Sequence, residues 1–276
     1  MAGGGAFFPS GSRRLYGYVH APAAVPAAYG PAAVVFVHPF MEERQDAHPF
    51  LRSLAEAVAA KGLWALRFDL HGCGDSEGEW HEATVATWRD DVGAAVAHAR
   101  AACGVDRVVL CGLRFGALLA ATSEPARECP LALVQPTTKG ATYAMDMLRA
   151  YLAAEMVLTK RAGVSRDVLV ERLRAGETVN VFGYQLTAAQ FDGLREADLA
   201  TALQGRALPT LLVDVVKTET ARASNELAAI AAAVGATLAR AVEPQPLHAE
   251  GKVHLTRAPQ VEAAVGSWLD ALRPPT

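Results

Sequence analysis

Short apolar runs alternate along this chain with longer stretches in which apolar residues recur at helical spacing. Residues 14–20 read as an edge strand following the Gly11-Ser12 turn. Residues 33–38 (Ala-Val-Val-Phe-Val-His) form a β-branched run with little polar alternation, which suits a strand buried on both faces of a parallel sheet. A helix is predicted over 47–61, with Phe50, Leu51, Leu54, Ala55 and Val58 on one face and Gly62 to end it. Residues 64–68 are the next strand. Residues 84–102 are the next helix, with Val85, Trp88, Val92, Val96 and Ala99 one helical turn apart. Further strands are predicted at 108–111, 131–135, 209–216 and 236–242, and further helices at 225–234 and 259–272. Strands separated by helices argue for an α/β fold: a mostly parallel central sheet with helices on both faces.

One interval breaks that rhythm. Between two core strands, residues 136–206 hold helical patterns at 142–158, 167–175 and 187–203 and a β-like segment at 179–184. This reads as an inserted helical cap over the C-terminal edge of the sheet. The core is then 1–135 with 207–276. Residues 21–31, rich in Ala and Pro, read as a loop.

Composition narrows the classes. Apolar residues make up 51% of the 276 positions, enough for a sizeable core. The net charge of −3 argues against nucleic-acid binding and against a polybasic membrane contact. Cys73, Cys103, Cys111 and Cys129 form no CxxC pair and no metal-ligand spacing with histidine. They read as free thiols of a reducing compartment, and neither a metal nor a cofactor is implied. The first residues lack a basic stretch followed by an apolar core, so no secretory signal is expected. No apolar run is long enough for a transmembrane segment. The expected localisation is therefore cytoplasmic, and a homodimer is left open.

The chemistry concentrates at Gly112-Leu113-Arg114-Phe115-Gly116. An apolar strand enters this turn and an Ala/Leu helix leaves it, which is the layout of the nucleophile elbow of α/β-hydrolases, ordinarily G-x-S-x-G. Here Arg114 stands where the serine would be. A guanidinium stays protonated and has no lone pair with which to attack. A cation is also unfavourable at a helix N-terminus, so Arg114 should have a carboxylate partner or hold an anion. Glu42 and Glu43 are the first candidates; the alternative is that both are solvated first-turn acids of the following helix. The alternative for the pentapeptide is an ordinary turn of another α/β protein.

Two neighbouring turns favour the hydrolase layout. His38-Pro39-Phe40 ends the strand where hydrolases place an oxyanion turn, so the Phe40 and Phe115 N–H groups are the expected donors. Pro39 brings no N–H of its own. Asp69-x-His-Gly-x-Gly-Asp-Ser-x-Gly resembles the turn after the third core strand in many α/β-hydrolases. Ser76 belongs to that turn and reads as its side-chain cap. For a triad acid, Glu219 is the candidate after the strand ending at Val216, Asp214 lying too early. For a triad base, His248 and His254 lie in the loop after the last strand; a lone loop histidine is more often solvated. Cys73 is the remaining nucleophile candidate, and its thiolate would need Arg114 beside it.

The whole set resembles the α/β-hydrolase-superfamily proteins associated with exosortase A systems, specifically the second of the two hydrolase types found there. The resemblance is carried by Pro39-Phe40-Met41-Glu42-Glu43, by residues 69–76, by the elbow through Ala120, by Gln135-Pro136, and by cap segments at 152–156, 173–177 and 183–186. It implies that arginine at the elbow is usual, and it implies a setting in bacterial export or surface-polymer biosynthesis. It transfers no activity, and the chain departs from the pattern in the Pro/His-containing tail near 244–254.

Two functions follow as expectations. One is an enzyme of altered mechanism, in which Arg114 clamps a small acyl or anionic ligand in a capped pocket and His248 or His254 handles protons. The other is a non-catalytic pseudo-hydrolase that binds or scaffolds. An ordinary serine hydrolase is excluded by Arg114.

Overall fold

A computed structural model of the protein describes residues 3–24, 32–160, 163–243 and 257–272. Its core is an eight-stranded sheet. Strands β1 (Gly4–Ser10) and β2 (Arg13–His20) form an antiparallel edge hairpin, and β2 pairs antiparallel with β4 (Trp64–Phe68). The remaining strands run parallel: β3 (Ala32–Val37) beside β4, then β5 (Arg107–Leu113), β6 (Leu131–Val134), β9 (Thr210–Val216) and β10 (Thr237–Val242). The order across the sheet is β1-β2-β4-β3-β5-β6-β9-β10. Helices α1 (Glu42–Ala60) and α9 (Pro259–Ala271) cover one face; α2 (Val85–Cys103), α3 (Phe115–Thr122) and α8 (Asn225–Val234) cover the other.

All six positions of β3 are buried, and they divide between two cores. Val34 and Phe36 pack with Phe50, Leu51 and Leu54 of α1, while Val35 and Val37 pack toward Trp88 and Val92 of α2. A strand buried on both faces has no place for polar alternation, which is why its sequence is a continuous apolar run. Burying each such Val or Phe side chain contributes about 1.5–3 kcal/mol against the cost of ordering the chain.

Between β6 and β9 the chain builds α4 (Gly140–Thr159), α5 (Arg166–Arg174), β7 (Val179–Val181), β8 (Tyr184–Leu186), α6 (Ala188–Glu196) and α7 (Leu199–Leu203). Tyr143 of α4 reaches the elbow rings, and α6 packs on α2. No helix among the described residues is long and apolar enough to cross a membrane.

Four local expectations need correction. Gly4–Ser10 form strand β1, which no apolar pattern announces, because most of its residues are exposed and carry no hydrophobic period. Helix α1 starts at Glu42 rather than at residue 47 and runs through Pro49, whose missing N–H forfeits one intrahelical bond. The predicted helix over 187–203 is two helices, because Asp198 accepts a bond from Thr201 N–H and starts α7 anew. The β-like 179–184 is a hairpin whose turn residues, Phe182 and Gly183, both take positive φ (51° and 89°), the geometry a tight two-residue turn demands.

Candidate active site at the β5–α3 turn

Arg114 lies between β5 and α3 at φ 55°, ψ −124°. Few non-glycine residues adopt this backbone, and it persists only where surroundings enforce it. The enforcement is visible. Arg114 N–H donates to Val134 O, and its carbonyl accepts from Ala117 and Thr137 N–H at 3.1 and 3.2 Å. The two glycines are demanded by contact: a Cβ on Gly112 would lie 2.4 Å from Ala117 Cα, and one on Gly116 would lie 2.2 Å from His38 O. Met41, at the start of α1, has nearly the same backbone (φ 49°, ψ −131°).

The Arg114 side chain folds back to α1. Its Nη2 donates to Glu43 Oε1 at 3.0 Å, and the Tyr143 hydroxyl donates to Glu43 Oε2 at 3.3 Å. The two charged side chains are only 22% and 13% exposed. Burial, with the Glu43 carboxylate next in importance, pushes the Tyr143 phenol well above its ordinary value, so it stays a donor. One carboxylate thus ties the elbow, the first turn of α1 and helix α4 together. Glu43 also sits where the α1 dipole favours an acid, which offsets Arg114 at the wrong end of α3.

Of the two acids expected to neutralise Arg114, Glu43 does so and Glu42 does not. Glu42 Oε2 is buried without a hydrogen-bond partner among the described residues. Burial, reinforced by the nearby Glu43 and Asp46 charges, pushes this carboxyl up to about 7. Three other buried polar atoms share that condition: Arg114 Nε and, on the segment after β6 whose Thr137 N–H bonds Arg114, Gln135 Oε1 and Thr137 Oγ1.

The space in front of the expected oxyanion donors is filled by rings. Phe40 packs at 5.0, 5.3 and 5.5 Å from Trp80, Trp88 and Phe115, and Phe115 stacks on Tyr143 at 5.5 Å. The void left beside Phe40 and Phe115 is about 10 Å³, at most one water molecule. Phe115 opens α3, so its N–H has no intrahelical acceptor. That void is too small for an acyl ligand.

His38 is committed to structure. Its Nδ1–H donates to Pro39 O at 2.7 Å, and its Nε2 accepts from Leu70 N–H at 3.2 Å. Burial, then the Arg44 charge, pushes it down to about 4, so it is neutral and both nitrogens are occupied. Asp69 pairs with Arg44 at 2.5 Å and accepts from Asp75 N–H, while Ser76 donates to Asp69 O and accepts from Tyr16 N–H. Ser76 is the cap the sequence suggested. Cys73 is buried, its thiol pushed up to about 12 by burial despite Arg44 nearby, and Arg114 is not among the charges acting on it. The thiolate idea therefore loses its premise.

The expected acid does not join this cluster. Glu219 is exposed on the loop after β9, and its backbone carbonyl accepts from Arg240. Asp214 is buried in β9 and accepts from Ser224 N–H at 2.7 Å. His248 and His254 lie outside the described residues. The residues that sequence reasoning missed are Tyr143, Gln135, Thr137 and Trp80. Gln135 lies in the Gln135-Pro136 segment already noted, but Tyr143, Thr137 and Trp80 lie in no motif; only the packing of α4 brings Tyr143 to Glu43.

The fold and this turn define the architecture of the α/β-hydrolases. Solved structures with that architecture superpose on nearly the whole chain. The protein Est1E from Butyrivibrio proteoclasticus, with ferulic acid bound, is 16% identical, covers 96% of this chain and 97% of its own, and gives a TM-score of 0.67. An esterase from Pyrococcus furiosus is 17% identical over 98% of this chain and 90% of its own, at 0.63. A proline iminopeptidase from Mycobacterium smegmatis is 17% identical over 97% and 98%, at 0.60. At such identities the likeness establishes the fold. No family model and no curated protein matches the sequence.

Proposed function

We propose that this chain is a non-hydrolytic protein on the α/β-hydrolase fold, whose elbow serves as a brace between core and cap. The observation that carries this reading is the Arg114–Glu43–Tyr143 connection. An arginine free to grip a substrate anion would be left facing an open pocket. This one is neutralised internally by Glu43, with both charged side chains largely withdrawn from solvent. The protein then binds or scaffolds, and the resemblance to exosortase-associated proteins suits a role in bacterial export or surface-polymer assembly.

One observation favours a second reading, an enzyme of altered mechanism. Glu42, held near 7 with its Oε2 unbonded, could exchange a proton at neutral pH with a small polar ligand. Such a ligand would also meet the unpaired atoms of Arg114, Gln135 and Thr137, and would require the aromatic plug to part.

The test is a panel of esters and thioesters assayed with the wild type, Arg114→Ala and Glu42→Gln, alongside a fluorophosphonate probe. The brace reading expects flat traces for all three and no covalent labelling. Turnover by the wild type that is lost in Glu42→Gln would move the conclusion to the second reading. Stoichiometric labelling of a serine would overturn both.

A further inference from the structure

On the other face of the sheet, between α1 and the β2–β4 edge, lies a cleft of about 270 Å³ bordered by Tyr16, Tyr18, His48, Arg67, Asp69 and Asp75. At its centre is Arg67, on β4 opposite Tyr18 of β2. Its Nε donates to His20 Nε2 at 3.0 Å and its Nη1 to His48 Nε2 at 3.1 Å. The guanidinium lies over the Tyr18 ring, 5.8 Å from the centroid. Both imidazoles accept from an arginine, so both are neutral; burial, then the Arg67 charge, pushes His20 down to about 4 and His48 down as well.

These partners satisfy hydrogen bonds but supply no charge. Among the described residues Arg67 has no carboxylate within ion-pair distance. The nearby acids are engaged elsewhere: Asp69 holds Arg44 and Asp75 N–H, and Glu56 holds Arg52. Asp75 stands exposed at the rim. A half-buried guanidinium thus keeps three N–H donors unused, in a fork suited to two oxygens, beside aromatic faces. Two neutral histidines fix its orientation, as the partners of a preorganised binding group do. Desolvated cations in folded proteins are ordinarily paired.

We propose that this cleft binds the oxyanion, carboxylate or phosphate, of a small molecule, with Arg67 as the anion receptor and Tyr16 and Tyr18 flanking the ligand's body. Neither Arg114 nor Glu43 lines this cleft, and the proposal does not rest on what the elbow does. The residue types sit at ordinary strand positions, so no motif announces them.

The test uses benzoate and phenyl phosphate as probes on the full chain. Phenylglyoxal modification of the wild type, read by peptide mass spectrometry, should slow at Arg67 several-fold with either probe while Arg114 is unaffected. Calorimetric affinity should fall about tenfold or more in Arg67→Met and stay unchanged in Arg114→Met. Preference for one probe identifies the anion and supports the site. Absence of saturable binding by both, or protection of Arg114 in place of Arg67, would overturn it. If Arg67→Met does not fold, the wild-type protection pattern decides alone.

Discussion

Removing the Arg114 charge should expose how far the elbow acts as a brace. In Arg114→Met the Glu43 carboxylate keeps its Tyr143 bond but loses its cation while 13% exposed. Stranding one partner of a fully buried pair costs about 3–5 kcal/mol. Two terms reduce that figure here. The Arg114 side chain is 22% exposed, which screens the pair. Removing a cation from the N-terminus of α3 also returns about 0.3–1 kcal/mol. A net loss of about 2–3 kcal/mol is expected. Glu43→Gln should cost a comparable amount, because it strands the guanidinium. The double variant Arg114→Met/Glu43→Gln should cost less than the sum, with a coupling of about 1–2 kcal/mol. Urea midpoints of the four proteins measure this directly. Additivity to within about 0.5 kcal/mol would mean that the 3.0 Å contact does not couple the elbow to α1, and the brace reasoning would fail.

Glu42 gives a prediction with a definite pH sign. Its folded value, about 7, lies above the ordinary 4.5. The native state therefore favours the protonated form, and its contribution falls as pH rises from about 4.5 to about 7. Glu42→Gln should accordingly stabilise the protein by about 1–2 kcal/mol at pH 8, after discounting for solvent screening, and change little at pH 4. A difference between the two proteins that does not vary with pH would contradict the assignment. Gly116→Ala would drive a Cβ to 2.2 Å from the His38 carbonyl, so a loss of about 3 kcal/mol or more is expected in thermal unfolding; a near-neutral result would show that the turn yields. Cys73 and Cys111, buried with thiols pushed up to about 12, should escape iodoacetamide at neutral pH in the native protein and react in urea. Full native labelling of Cys73 would reopen it as a nucleophile.

The parallel sheet was legible because a strand buried on both faces must be apolar throughout, and 33–37 and 108–111 are. The turn at Arg114 was legible because glycine is the residue that fits 2.2–2.4 Å from backbone atoms, so Gly112 and Gly116 mark the spot in any such chain. The identity of Arg114 already ruled it out as the elbow nucleophile, since protonation state follows from the side chain itself. Tertiary structure decided the rest. Glu42 and Glu43 are adjacent and chemically equal in sequence; helix phase sends one to Arg114 and leaves the other half-buried with its Oε2 unbonded. Tyr143 meets Glu43 from 100 residues away in the chain, and Arg67 gains two histidines from different elements and no carboxylate. Charge pairing and desolvation depend on distances across the fold, and a pattern along the chain carries no record of them.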